Sequence, residues 1–345
     1  MTLPQILITG GAGFLGAHMV KAFRDCGKTV RVLDVAPRPD WANDVDYIQG
    51  GVCDIATVQR AAHGVDSVVH AAFASPRQSP QTLRSVNVDG TRVVYEAARD
   101  AGARRFVLIS STIVERLPRR HPFLSGSGMS RLDDYRACRA EAETWLMQQQ
   151  NGPSVAAVRP KTFLGPGKVG AFAMMFDAIR RGDTVPVLGT GSNHYQLLDI
   201  RDMAQGVRLL EGRRDRGVFH FGAEQYGTVR EDLQALIDHA RTGATLRFMP
   251  AALSKMALQM IELAGLTPLS EWHYYSAAQR DGVADIRRAQ QELGWHPTRS
   301  NVQALTDAYD AYTAAFSSAV GVVTTHPLPF SHKILRSAFR LLDRG

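Results

Sequence analysis

The sequence predicts an α/β chain built on a doubly wound parallel sheet, with a smaller lobe contributed mostly by its C-terminal half. Three observations lead there. The run Ile6-Leu7-Ile8-Thr9 passes directly into glycines at 10, 13 and 16. Short apolar β-type runs then alternate with amphipathic helical stretches for about 160 residues. After Arg159-Pro160 that rhythm stops. Strands that alternate with helices of this length form parallel sheets covered on both faces, and right-handed crossovers make the doubly wound order the default.

Strands are expected at 5–9, 29–34, 45–49, 66–70, 105–110 and 154–158, and helices at 14–26, 55–62, 79–101 and 133–149. Residues 1–160 therefore read as one nucleotide-binding domain. Beyond it, Gly165-Pro166-Gly167, Gly189-Thr190-Gly191 and Pro250 punctuate helices and short strands irregularly. Residues 161–330 read as mainly a substrate lobe, with 197–210 and 217–221 returning to the sheet. Residues 331–345 form a basic amphipathic tail.

Composition narrows the classes. At 345 residues and 45% apolar content the chain can bury one large or two moderate cores. No run of eighteen uncharged apolar residues exists, and the N-terminus carries no basic leader, so a cytoplasmic protein is expected. Cys26, Cys53 and Cys138 lie far apart without metal-type spacing and read as reduced, mostly buried thiols; no metal site is expected. The net charge of +7 is spread over pairs such as Arg104-Arg105, Arg119-Arg120 and Arg213-Arg214. That dispersal disfavours nucleic acid as a partner.

Glycine serves where a chain turns tightly, where backbone must touch a pyrophosphate, and where helix packs closely on strand. Gly10, Gly13 and Gly16 meet those needs in a strand–turn–helix context. The helix opening at Phe14 and Leu15 offers its unpaired N–H groups and positive dipole end to phosphates. Asp34 ends the second strand, where a carboxylate accepts adenosine ribose hydroxyls and repels a 2′-phosphate; NAD is favoured over NADP, with Arg38 as the opposing signal. Asp54-Ile55 follows the third strand, where the acid either meets the adenine amino group or caps the next helix. Ala71 and Ala72, after His70, are small enough for close backbone approach, and His70 itself reads as a packing residue.

The order of these pieces resembles the extended short-chain dehydrogenase/reductase family, also called the NAD-dependent epimerase/dehydratase family. The matching segments are Thr9–Gly16, Asp54-Ile55, His70–Ala72, Asn87-Val-Asp-Gly-Thr91 and Ser110-Ser111-Thr112. They continue with Tyr135-Arg-Ala-Cys-Arg139, Arg159-Pro160, Gly165–Gly167 and Leu293-Gly-Trp-His-Pro297, covering about residues 5 to 300. The resemblance implies a Rossmann domain holding NAD and a hydroxyl–tyrosine–lysine constellation. Tyr135 would be the acid/base, Ser111 (or the adjacent Thr112) the donor to the substrate oxygen, and Asn87 a structural bridge beside the nicotinamide. A phenol is a poor base at neutral pH, so a cation must stabilise its phenolate. Tyr135 and Arg139 are spaced i, i+4, on one helical face. The family has lysine where this chain has Arg139, a bulkier planar cation.

Sugar-nucleotide members of the family carry an arginine where Tyr195 stands, and Asn193 resembles instead the 3β-hydroxysteroid-dehydrogenase-like and dihydroflavonol-reductase-like branch. The expected activity is hydride transfer at a secondary alcohol or ketone carbon of a mostly apolar small molecule. A nucleotide-sugar epimerase or dehydratase, and a non-catalytic NAD-binding sensor or scaffold, remain as alternatives. The Met-containing apolar stretch 251–266 reads as a helix near that substrate. In the tail, which also carries Lys333, a row of Arg336, Arg340 and Arg344 opposes Ile334, Leu335, Ala338, Phe339 and Leu342. Such a face either meets an anionic membrane surface or docks on the main domain or on the partner of a homodimer.

Overall fold

A computed structural model describes residues 6–76, 78–116, 131–167, 172–250 and 281–317. The expected helix at 251–266 and the tail 331–345 lie outside the described residues. Strands are β1 Ile6–Thr9, β2 Val30–Asp34, β3 Asp46–Gln49, β4 Ser67–His70, β5 Arg105–Ile109 and β6 Ser154–Pro160. They continue with β7 Thr162–Leu164, β8 Thr184–Leu188, β9 Leu197–Asp199, β10 Gly217–Phe221 and β11 Thr245–Met249. Helices are α1 Phe14–Arg24, α2 Ile55–Ala62, α3 Pro80–Arg84, α4 Gly90–Asp100, α5 Arg131–Met147, α6 Ala173–Arg180, α7 Ile200–Glu211 and α8 Val229–Ala240. Two more helices span Arg287–Leu293 and Asn301–Ser317.

Seven strands form one parallel sheet in the order β10-β6-β5-β4-β1-β2-β3. The central strands β1, β4 and β5 are buried along their whole length, with apolar middles and polar residues only at their ends, because helices cover both faces; Ile6, Leu7, Ile8, Val68, Val69, Phe106 and Val107 are all buried. Chain order reverses between β1 and β4, where Ile6 pairs with Val30 on one side and Ser67 on the other. A crevice at the carboxyl ends of such a switch point is where open α/β sheets take their ligands.

Among the described residues the chain divides into two compact units. The first takes in residues up to Phe163, then Ile200–Glu224 and Ala284–Thr298. Here β10 forms the sheet edge as expected, whereas Leu197–Asp199, also expected to return, is not part of this sheet. Trp295, fully buried, stacks on Phe221 with ring centroids 4.4 Å apart and donates from Nε1 to the Asp202 carbonyl at 3.1 Å. Gly206 makes room for both rings, since a Cβ there would lie 2.5 Å from Phe221.

The second unit takes in Leu164–Asp199, Gln225–Val283 and the described residues from Arg299 onward. It holds a parallel pair, β8 with β11, and a core of Phe176, Leu236, Ile237, Leu305, Tyr309 and Tyr312. Helix α8 opens on a reciprocal cap. The Thr228 hydroxyl accepts from Glu231 N–H at 3.3 Å, and the Glu231 carboxylate accepts from Thr228 N–H at 2.7 Å. Buried Asn301 ties the unit together, donating to the Tyr195 carbonyl (2.8 Å) and to Asp232 (2.7 Å) and accepting from Leu197 N–H (2.8 Å).

Two expectations need correction. The single helix expected over 79–101 is broken by a π-type turn at Ser85–Asp89 between α3 and α4. An extra residue enters the ladder there because Asn87 is drawn inward to bond the Ala74 backbone. The thiols are also not mostly buried: Cys26 and Cys53 are exposed and Cys138 half-buried. Cys26 follows the last turn of α1 and Cys53 sits in the loop before α2, positions with no core to face.

Candidate active site

The glycine loop lies at the switch point. Gly10 adopts φ +71°, and a Cβ there would stand 2.8 Å from the Ala71 carbonyl oxygen. Gly16 allows α1 to sit directly on the loop, since its Cβ would come 2.2 Å from the Gly10 oxygen. Gly13 takes the N-cap position of α1 with no side-chain cap and no acid in the first turn. Phe14 lies parallel to the Phe163 ring at 6.5 Å. Ala71 and Ala72 follow β4 and are fastened to Thr9, whose hydroxyl accepts from both of their N–H groups (3.2 and 3.3 Å).

Asp34 reaches the same loop. Its carboxylate accepts from Ala12 N–H at 3.0 Å and from Ala36 N–H at 2.9 Å, which fixes the acid at the end of β2. The opposing signal, Arg38, is turned away onto Tyr47, with Cζ 5.6 Å from the ring centroid and Nη2 donating to the Tyr47 carbonyl at 3.4 Å. Of the two roles open to Asp54, the structure shows the cap: its carboxylate accepts from Thr57 N–H (3.3 Å) and the Thr57 hydroxyl (2.6 Å). Ile55 beside it is an exposed large apolar side chain at 58%.

His70 lies fully buried beneath the loop, with Nδ1 on the Thr9 hydroxyl (2.7 Å) and Nε2 on the Thr91 hydroxyl (3.0 Å). Burial, with Arg139 as the lesser cause, pushes the imidazole down to about 3, so the ring is neutral. It packs, as expected, rather than exchanging protons. Asn87 clamps Ala74, accepting from its N–H at 2.8 Å and donating to its carbonyl at 3.3 Å.

Helix α5 brings Tyr135 and Arg139 together. Arg139 Nη1 donates to Tyr135 Oη at 3.1 Å, and Nη2 donates to the Ile109 carbonyl at 2.7 Å, at the end of β5. The guanidinium is 5% exposed and lies over the Phe73 ring at 3.7 Å. Two acids pin the helix from opposite sides. Glu141 accepts from Arg84 (3.0 and 3.2 Å) and Arg92 (3.3 Å), while buried Glu143 accepts from Arg159 (3.0 Å at Nε). Arg159 also bonds Glu115 at 2.9 Å, and His220 bonds the same carboxylate; these contacts, His220 foremost, hold Glu115 below the usual carboxylate range against the effect of burial.

Ser111 follows β5, half-buried, with Oγ accepting from Ile113 N–H at 3.3 Å. Its hydroxyl proton remains available to a second acceptor. Thr112 turns its hydroxyl to the Pro160 carbonyl at 3.4 Å. Cys138, on the same helix as Tyr135, is pushed up to about 11 by burial and then by Glu141, which keeps it a thiol rather than a nucleophilic thiolate. Phe73 was not signalled by the sequence, because its contact with Arg139 joins segments far apart and follows no helical or strand period.

A family model described as the NAD dependent epimerase/dehydratase family matches residues 6–222, the stretch that carries every one of these groups. The chain belongs to this family. A related chain, the uncharacterized protein y4nG of Sinorhizobium fredii, is 32% identical over 335 residues, covering 95% of this chain and 84% of the relative. A 3 beta-hydroxysteroid dehydrogenase/Delta 5-->4-isomerase of Mycobacterium tuberculosis is 24% identical over 351 residues, covering 91% and 92%. Among solved structures, the UDP-glucose 4-epimerase of Thermotoga maritima with UDP-glucose matches at a TM-score of 0.70 and 20% identity, over 90% of this chain and 99% of that one. At that identity the likeness establishes the fold. In this family setting, no helix among the described residues is long and apolar enough to cross a membrane.

Proposed function

We propose that this member of the family is an NAD-dependent oxidoreductase acting at a secondary alcohol or ketone carbon of a mostly apolar small molecule. The observation that carries the reading is the 3.1 Å contact from Arg139 to Tyr135 Oη, on a helix anchored beside a glycine loop fitted for a pyrophosphate. The residues present suit NAD. Gly10, Gly13 and Gly16 let the loop close tightly on Ala71 and on itself, the α1 N-terminus has no side-chain cap, and Asp34 supplies the ribose acceptor while Arg38 is turned away. NAD, when bound, accepts or returns a hydride.

The chain's own groups then divide the work. Tyr135 Oη takes the proton of the substrate hydroxyl in oxidation, or gives it to the carbonyl oxygen in reduction. Arg139, whose Nη1 donates to Tyr135 Oη, sets its guanidinium beside that oxygen during the proton transfer. Ser111 donates to the same substrate oxygen and fixes its position. In this reading Tyr135 and Ser111 act on the same substrate oxygen. The apolar substrate class is supported by the hydroxysteroid-dehydrogenase relative and by Tyr195 standing where sugar-nucleotide members carry arginine.

The test follows absorbance at 340 nm with NAD present and either dehydroepiandrosterone, a 3β-hydroxysteroid, or UDP-glucose supplied. Wild-type chain is expected to form NADH from the steroid, and Tyr135→Phe to lose at least about a thousandfold in kcat with NAD affinity within twofold. Full activity in Tyr135→Phe overturns the assignment of the acid/base. Turnover of UDP-glucose without net NADH would instead identify an epimerase.

A further inference from the structure

We propose that Phe73 is a positioning residue for the Arg139–Tyr135 pair, needed because the cation on α5 is an arginine. A lysine ammonium is compact and can rotate its three donors toward any acceptor; a guanidinium is a flat fork whose donors point in fixed directions. Its effect on Tyr135 therefore depends on how its plane is held.

Two in-plane hydrogen bonds hold it, from Nη1 to Tyr135 Oη and from Nη2 to the Ile109 carbonyl. With the covalent tether through Nε able to turn only by side-chain torsions, two such anchors leave a swing of the plane about the line that joins them as its softest motion. A third in-plane bond could stop it, but Arg139 Nε is buried without a hydrogen-bond partner among the described residues. What stops the swing is a contact on the face of the plane. The Phe73 ring lies 3.7 Å from Cζ, at van der Waals distance, whereas the Tyr135 ring is 5.4 Å away. The face of an aromatic ring also attracts a desolvated cation.

Phe73 is itself held. Its ring lies 5.4 Å from that of His70, whose two nitrogens are both engaged by threonine hydroxyls. The next residue, Ala74, is clamped at both its N–H and its carbonyl by Asn87. Support therefore passes from Asn87 through Ala74 and Phe73 to the guanidinium, and from there to the Tyr135 oxygen.

The inference takes its kinetic consequence, though not its geometry, from the oxidoreductase reading, so the experiment has two arms. In the first, full-length chain labelled with ¹⁵N-arginine is compared by NMR as wild type, Phe73→Leu and Phe73→Tyr, with Arg139→Lys to assign the signal and thermal melts to confirm folding. Ring-current-shifted Arg139 side-chain protons are expected in wild type and Phe73→Tyr and absent in Phe73→Leu. Unchanged signals in Phe73→Leu overturn the proposal. In the second, NAD and dehydroepiandrosterone are the probes. Phe73→Leu should lower kcat about thirtyfold with KM within about twofold, equivalent to about 2 kcal/mol at ~1.4 kcal/mol per tenfold. In an Arg139→Lys background the same change should cost less than about threefold. Equal losses in both backgrounds overturn the proposal. If wild type does not turn over the steroid, the substrate reading fails while the NMR arm still decides the pairing.

Discussion

Replacing Gly16 by alanine sets two opposite effects against each other. Gly16 lies in the first turn of α1, where alanine gains up to about 1 kcal/mol over glycine through helix propensity. Against that, the added Cβ would lie 2.2 Å from the Gly10 oxygen, 2.5 Å from Gly11 Cα and 2.7 Å from Gly11 C. All three are backbone atoms, and ordinary contact starts near 3.4 Å, so the loop must retreat by more than an ångström. Overpacking costs about 1–3 kcal/mol, and three rigid backbone contacts put this site at the upper end, about 2–3 kcal/mol, which exceeds the propensity gain. Gly16→Ala should therefore unfold about 1–2 kcal/mol more easily in urea, and displacement of the loop should weaken NAD binding, read by calorimetric titration, at least about tenfold. Gly27→Ala is the control. Unlike Gly16 it holds a positive φ, +75°, but its Cβ would meet nothing within 4 Å. It should lose about 1 kcal/mol of stability and bind NAD as wild type does. A Gly16→Ala chain that is as stable as wild type and binds NAD normally would refute the close-packing account of the loop.

Acid should weaken the fold through His70. The folded ring is held down to about 3 against an ordinary value of 6.5, so between those pH values the unfolded chain binds the extra proton. Stability is full above about pH 6.5 and falls as pH drops toward 3, by at most about 5 kcal/mol. Urea unfolding at several pH values should show this slope in wild type and a reduced one in His70→Asn. In the second unit, Thr228→Ala removes one side of the α8 cap and should cost about 1 kcal/mol by the same measurement.

The sheet and the cofactor loop were legible in the sequence because their signals are local. β1 through β6 sit within two residues of their expected bounds, and α2 matches Ile55–Ala62, since each apolar run is closed by its own turn or cap. Tyr135 and Arg139 were legible for the same reason, as helical spacing alone brings i and i+4 together. Asp54 carried two readings because the acid that caps a helix and the acid that meets a ligand occupy one position. The π-type turn was hidden, since Leu83, Val86, Gly90 and Val94 keep helical spacing across it and only the inward pull on Asn87 breaks the ladder. Phe73 was hidden more completely. Nothing near residue 73 in the chain announces a guanidinium that arrives from α5.

The way the first unit is stitched together bears on how the protein is made. Six strands of its sheet have left the ribosome once Pro160 is out, but the seventh, β10, follows only after a stretch that belongs to the other unit. Until Gly217–Phe221 emerges, β6 carries an open parallel edge, the kind of surface on which nascent chains pair wrongly. Trp295, which stacks on the new edge strand, comes later still. Synthesis therefore delivers the Gly10–Gly16 loop early, and the sheet edge and the tryptophan that packs on it only much later. A message truncated soon after Phe163 would yield a fragment that keeps every glycine of the cradle but remains open to misassembly along β6.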